Sequence, residues 1–210
     1  MLELIKSLSQ AYGPAGREDR VRELIKDCLP SKENIIEDAL GNLIFIKKGS
    51  GKKIMVAAHM DEVGIIVTDI DEHGFLRLAP VGGVSAYSAL GKRFVFPGGV
   101  TGVVAVEKVE NLHKLTYKEL YLDIGAAAKK EAVAKISIGE IGVYEGSFAA
   151  VNNRLLSKAL DDRVGCAILL EALRDMETDN EIYFVFSVQE ELGLRGAATA
   201  AYRLNPDYGL

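Results

Sequence analysis

The stretch "IYFVFSV", Ile182–Val188, is apolar along nearly its whole length. A strand without a polar face needs cover on both sides, which is the condition of a sheet in an α/β protein. Gln189 follows it, and then two adjacent glutamates, Glu190 and Glu191. Two like charges at the end of a buried strand cost free energy unless something uses them. A divalent cation is one such use, since its charge offsets both carboxylates.

The flanking sequence has the same texture. "REDRVRELIKDCL" carries Val21, Leu24, Ile25, Cys28 and Leu29 at helical spacing, and Pro30 stops it. "NLIFIKKG" and "KKIMVAAH" read as two strands joined by a Gly-Ser-Gly-Lys turn, the second apolar on both faces. "DDRVGCAILLEALRDM" and "GLRGAATAAYRL" read as helices on either side of the 182–188 strand. Between residues 67 and 150 the texture changes. Short β-rich runs such as "KRFVF" and "GVVAVEK" alternate with glycines, Asp71–Gly74 reads as a hairpin turn, and "AAAKKEAVAKI" as a short helix. The expected organisation is one α/β domain made of residues 1–66 and 151–210, with a β-barrel-like domain, 67–150, inserted into it.

Composition narrows the function classes. The chain has 210 residues, 49% hydrophobic and 26% charged, with a net charge of −5, which argues against a nucleic-acid face. No apolar run reaches the ~18–20 residues of a membrane span, and the N-terminus lacks the pattern of a signal peptide. Cys28 and Cys166 form no CxxC pair and read as reduced core residues of a cytoplasmic protein. The glycines of the insert match no phosphate-binding motif.

Three polar clusters remain in the α/β part. "VAAHMDE" sets His59 and Asp61 just after a strand, "SKALDDR" sets Asp161 and Asp162 at the start of a helix, and "VQEELG" sets Glu190 and Glu191 after the apolar strand. Each has an ordinary structural reading: a satisfied His, an N-cap Asp, glutamates favouring a helix dipole. Two follow strands and the third opens a helix; sites in α/β sheets form beyond the carboxyl ends of strands, so the expectation is that all three meet at one edge. Together they fit a two-metal hydrolase. Ions ~3.5–4 Å apart need a bridging carboxylate, further His or carboxylate ligands, and an unligated carboxylate as base.

"AAHMDEVG", "KALDDRVG" and "QEELGLRGA", in this order around an inserted β domain, resemble the tetrahedral (TET) or glutamyl aminopeptidase family of di-metal peptidases, as does "PVGGVSAYSALGKRF" in the insert. The resemblance implies a three-layer α/β/α, zinc-exopeptidase-like domain. In it His59 and Glu191 ligate one metal each, Asp161 bridges, Glu190 is the general base for a metal-activated water, and Asp61 orients His59. It further implies two divalent ions (zinc or cobalt), peptide substrates, and a homo-oligomer built through the insert, a dimer and on to a dodecamer.

The family pattern needs two more ligands, an Asp on the next strand and a His beyond it. "NPDYGL" reads as the start of that strand, and His73 and His113 lie in the insert and match no ligand position. The expectation is therefore a C-terminally truncated fragment with little or no activity alone. Two other readings compete: a non-catalytic assembly or peptide-binding subunit, and a glucan hydrolase using Glu190 and Glu191. Some relatives carry an endoglucanase label, but His-x-Asp beside paired glutamates fits metal hydrolysis better than two flanking carboxylates.

Overall fold

The computed structural model describes residues 1–108 and 111–210; the side chain of His113 lies outside that description. The chain forms two compact units, Met1–Glu62 with Gly146–Leu210, and Val63–Glu145. The first opens with α1 (Leu2–Gln10), α2 (Asp19–Cys28), β1 (Ile35–Glu37), β2 (Leu43–Lys47) and β3 (Lys53–His59). The second contains β4 (Gly64–Ile70), β5 (Leu76–Val81), α3 (Ala86–Ala89), β6 (Arg93–Val95), β7 (Thr101–Val106), β8 (Leu120–Asp123), α4 (Lys129–Val133) and β9 (Ile141–Tyr144). The chain then returns to the first unit with β10 (Ala149–Val151), β11 (Arg154–Leu156), α5 (Leu160–Asp175), β12 (Glu181–Ser187), α6 (Arg195–Leu204) and β13 (Tyr208–Gly209).

The main sheet of the first unit has the order β1-β2-β12-β3-β13. β12 is its middle strand, parallel to β3 and antiparallel to β2. The apolar run of the sequence explains this position. Ile182, Phe184 and Phe186 enter one core with Leu8, Val21, Ile25 and Leu170, from α1, α2 and α5. Tyr183 and Val185, pointing the other way, enter a second core with Ile44, Met55 and Ala200 of α6. Full burial of a Phe stabilises by about 1.5–3 kcal/mol, so Phe184 and Phe186 alone strongly favour the centre of the sheet.

The turn expected to join β2 and β3 does so, but the two strands do not pair, because β12 lies between them. The turn is held instead by the segment before β12: the N–H groups of Ser50 and Gly51 donate to the Asp179 carbonyl at 2.9 and 2.8 Å. A Cβ on Gly49 would sit 2.3 Å from the Asn180 carbonyl oxygen, so only glycine fits there.

In the second unit β4-β5-β8-β7-β6-β9 close into a barrel. Closure leaves no free edge, and Ile65, Val67, Leu76, Phe94, Val104 and Leu122 fill the interior. β4 begins at Gly64 and pairs with β5 and β9, so the barrel unit starts at Val63 rather than at 67. The β10–β11 hairpin belongs to the first unit, so the return falls at Gly146 rather than at 151. His73 lies in the Asp71–Gly74 turn, where Asp71 Oδ1 accepts its N–H at 3.0 Å. No helix among the described residues is long and apolar enough to cross a membrane.

Candidate metal centre

β3 and β12 run side by side in parallel, with Ser187 level with His59. Their carboxyl ends therefore deliver His59 and the Glu190–Glu191 turn to the same place. His59 is almost fully buried. Its Nε2 lies 3.0 Å from Asp161 Oδ1 and 3.8 Å from Glu190 Oε2. Ligand atoms of His59, Glu190 and Glu191 all lie within 4.8 Å of one another. Asp161 joins this group through His59.

The two aspartates of "ALDDR" separate. Asp162 Oδ1 accepts the Gly165 N–H at 3.0 Å, so Asp162 caps the regular part of α5. A Cβ on Gly165 would meet that carboxylate at 2.3 Å. Asp161 has no capping role and its side chain is 89% exposed. The ordinary N-cap reading thus applies to Asp162 and leaves Asp161 free to ligate. Ala159 (φ 52°) and Gln189 (φ 53°), just before these two segments, are both left-handed. Such strain in non-glycine residues costs about 1–3 kcal/mol each and gathers at functional sites.

Asp61 differs in detail from the expectation. The His59 Nδ1 contact, at 3.0 Å, is to the Asp61 backbone carbonyl; the carboxylate Oδ1 is 3.6 Å away. The fully buried carboxylate itself accepts the N–H groups of Glu190 and Glu191, at 2.9 and 3.0 Å.

The electrostatics are those of a site with too much negative charge. Burial, the largest influence on His59, lowers its pKa. The Asp61 carboxylate, 3.6 Å from Nδ1, with Asp161 and Glu190, outweighs it and carries the value up to about 9. Burial raises Glu191, His59 opposes this, and Glu190, Asp61 and Asp161 add to it. An imidazole ringed by carboxylates calls for a proton or a cation, and the donor set, one nitrogen and several carboxylate oxygens, suits a divalent ion of the zinc type. Cys166 is no candidate: burial pushes its thiol far up, and Sγ donates to the His59 carbonyl at 3.3 Å.

Several supporting residues escape sequence reasoning. Lys158 Nζ is paired with both oxygens of Glu62, at 2.7 and 2.8 Å, and both side chains are buried. Burial lowers the Lys158 pKa, against the pull of Glu62. Arg163, fully buried, donates to the carbonyls of Leu8, Ala11 and Gly13 and lies 3.6 Å from Glu62. Lys158, Arg163 and Glu62 stand inside the same short motifs as the candidate ligands, which is the one signal that could have flagged them.

The parallel β3–β12 pair carries a His-carboxylate cluster able to hold a metal ion, in a mixed α/β chain with a closed six-stranded barrel. Residues 41–210 match the M42 glutamyl aminopeptidase family, and the chain belongs to it. It is 47% identical over 216 residues to a putative aminopeptidase of Acetivibrio thermocellus, covering 100% of this chain and 64% of that protein. Among solved structures, an aminopeptidase of the archaeon Desulfurococcus kamchatkensis superposes with a TM-score of 0.91 at 40% identity, over 99% of this chain and 61% of that one. The TET1 peptidase of Pyrococcus horikoshii, described as assembling into a tetrahedron or a large octahedral shell, gives 0.87 at 32% identity, over 99% and 67%. The chain thus spans a little under two thirds of the curated relative's length.

Proposed function

We propose that the protein is a metal-dependent aminopeptidase that removes N-terminal residues from peptides. The observation that carries this reading is the meeting of His59, Asp161, Glu190 and Glu191 beyond the carboxyl ends of β3 and β12, in a chain of the M42 family. We assign the first unit to a three-layer α/β/α peptidase domain, in keeping with cores on both faces of its sheet.

His59, Asp161 and Glu191 would hold divalent ions, zinc or cobalt in kind: two per subunit, with Asp161 common to both, in the intact family pattern, and fewer on these three ligands alone. Such an ion supplies Lewis acidity, polarising the scissile carbonyl and lowering the pKa of a water. Glu190 takes the proton from the attacking water and passes it to the leaving amine. His59 offers Nε2 while Nδ1–H donates to the Asp61 carbonyl, which fixes the tautomer. Asp61 positions the glutamate turn through its two backbone hydrogen bonds.

We further assign the barrel unit to subunit association, as a dimer and in larger shells, by analogy with the assembly described for the Pyrococcus horikoshii TET1 peptidase. Both cysteines are unpaired, which supports a reducing, cytoplasmic setting.

The test is hydrolysis of a panel of aminoacyl-anilide and peptide substrates before and after chelation. The expected result is that whatever turnover the 210-residue chain retains is abolished by chelation and restored by zinc or cobalt. Turnover untouched by a strong chelator contradicts the reading, and β-glucan cleavage under the same conditions would favour the glucan hydrolase instead.

A further inference from the structure

Beyond Ser187, β12 leaves the sheet, and its backbone N–H groups lose their strand partners. Four consecutive groups are nonetheless bonded, each to a side chain from elsewhere. Val188 N–H donates to Asn42 Oδ1 at 3.0 Å, and Gln189 N–H to Glu18 Oε1 at 3.1 Å. Glu190 and Glu191 N–H donate to Asp61 Oδ1 and Oδ2, at 2.9 and 3.0 Å. The three holders are almost completely buried: Asn42 and Asp61 are 0% exposed and Glu18 is 5% exposed.

We propose that Glu18 is a positioning residue for the metal centre, acting through the Gln189 N–H to hold the turn that carries Glu190 and Glu191. It shares this task with Asn42. The inference rests on the metal-site reading above and adds to it a segment, residues 16–18, that lies outside the matched family region.

Three features support the assignment. Gln189 is left-handed at φ 53°, a conformation an L residue keeps only when its surroundings hold it. Glu18 is itself anchored: it directly precedes α2 as its N-cap residue, its carbonyl accepts the Val21 and Arg22 N–H groups at 3.0 Å each, and its Oε1 also accepts the Gly16 N–H at 2.7 Å. Val21 and Ile25 then fix α2 in the core. Asn42 is anchored as firmly, donating to Asp38 Oδ2 at 2.7 Å and to the Gly196 carbonyl at 3.0 Å. A Cβ at Gly196 would meet the Val188 carbonyl at 2.3 Å and Asn42 Oδ1 at 2.4 Å, so the chain passes close enough only with glycine there. A glutamate kept in a buried place to accept two backbone N–H groups is costly unless the turn it fixes matters.

Both hydrogen bonds reach the same oxygen, Oε1. Glutamine can keep them, and methionine, of similar length, cannot. The experiment compares wild type, Glu18→Gln and Glu18→Met by amide hydrogen exchange at residues 188–191 and by zinc titration. Glu18→Met is expected to speed exchange at Gln189 by roughly tenfold or more and to weaken zinc binding roughly 10- to 100-fold, the usual effect of removing an outer support. Glu18→Gln is expected to restore both to within about threefold of wild type. Wild-type exchange and zinc affinity in Glu18→Met would overturn the inference. So would a folded Glu18→Gln as impaired as a residue without an acceptor, an outcome readable even if Glu18→Met fails to fold. A wild type that binds no zinc would overturn the metal-site reading, while the exchange comparison would still decide the clamp.

Discussion

His59 and Asp161, 102 positions apart in the chain, meet with Nε2 and Oδ1 3.0 Å apart. The neighbouring Asp162 turns to the Gly165 N–H instead. The two aspartates therefore predict opposite mutant behaviour. Asp161→Asn should lose zinc affinity by at least about tenfold with little change in thermal stability. Asp162→Ala should lose a helix cap, about 0.5–2 kcal/mol in urea unfolding. Titration and unfolding of both variants check the division.

The paired glutamates predict a second contrast. Glu190→Gln should lower kcat by about 100-fold or more, the scale of a missing general base, while keeping its metal content. Glu191→Gln should lose bound metal. Kinetics and elemental analysis on the same preparations separate the two roles, and full activity in both variants would refute them.

The buried Lys158–Glu62 pair predicts non-additivity. Lys158→Met alone leaves the buried Glu62 carboxylate stranded but for Arg163 at 3.6 Å and the Gly13 N–H at 3.2 Å, and should cost at most about 3–5 kcal/mol. Adding Glu62→Gln removes the stranded charge, so the double variant should be more stable than the sum of the singles by at least about 1 kcal/mol. Chemical denaturation of the four proteins completes the cycle.

Gly142 of β9 predicts a defect confined to the barrel. A Cβ there would lie 2.6 Å from the Phe96 ring, which is itself buried. Gly142→Ala should destabilise this unit by about 1–3 kcal/mol through overpacking. Hydrogen exchange should rise across residues 63–145 and stay unchanged across β12.

How much of this was legible in the sequence follows from how local each signal is. The centre of the sheet was legible because Ile182–Val188 has no polar face, and the barrel because glycines punctuate short β runs. The candidate ligands were legible because their motifs lie directly after strands or before a helix. The pairing of β2 with β12 rather than β3 was not, since a glycine turn between strands suggests a hairpin and only a third strand far along the chain forbids it. α1 was not legible: nothing local in "MLELIKSLSQ" says that Ile5 and Leu8 pack into the main core. The supports were the least legible. Glu18 reads as an acid at a helix start and Asn42 as a turn residue, and nothing local says that both are buried against residues 188 and 189.

The most direct test of the central claim is calorimetric zinc titration of wild type and His59→Ala. Wild type is expected to bind zinc stoichiometrically, and His59→Ala to bind it about tenfold or more weakly. A wild type that binds no zinc, or a His59→Ala protein that binds it as tightly, would contradict the account.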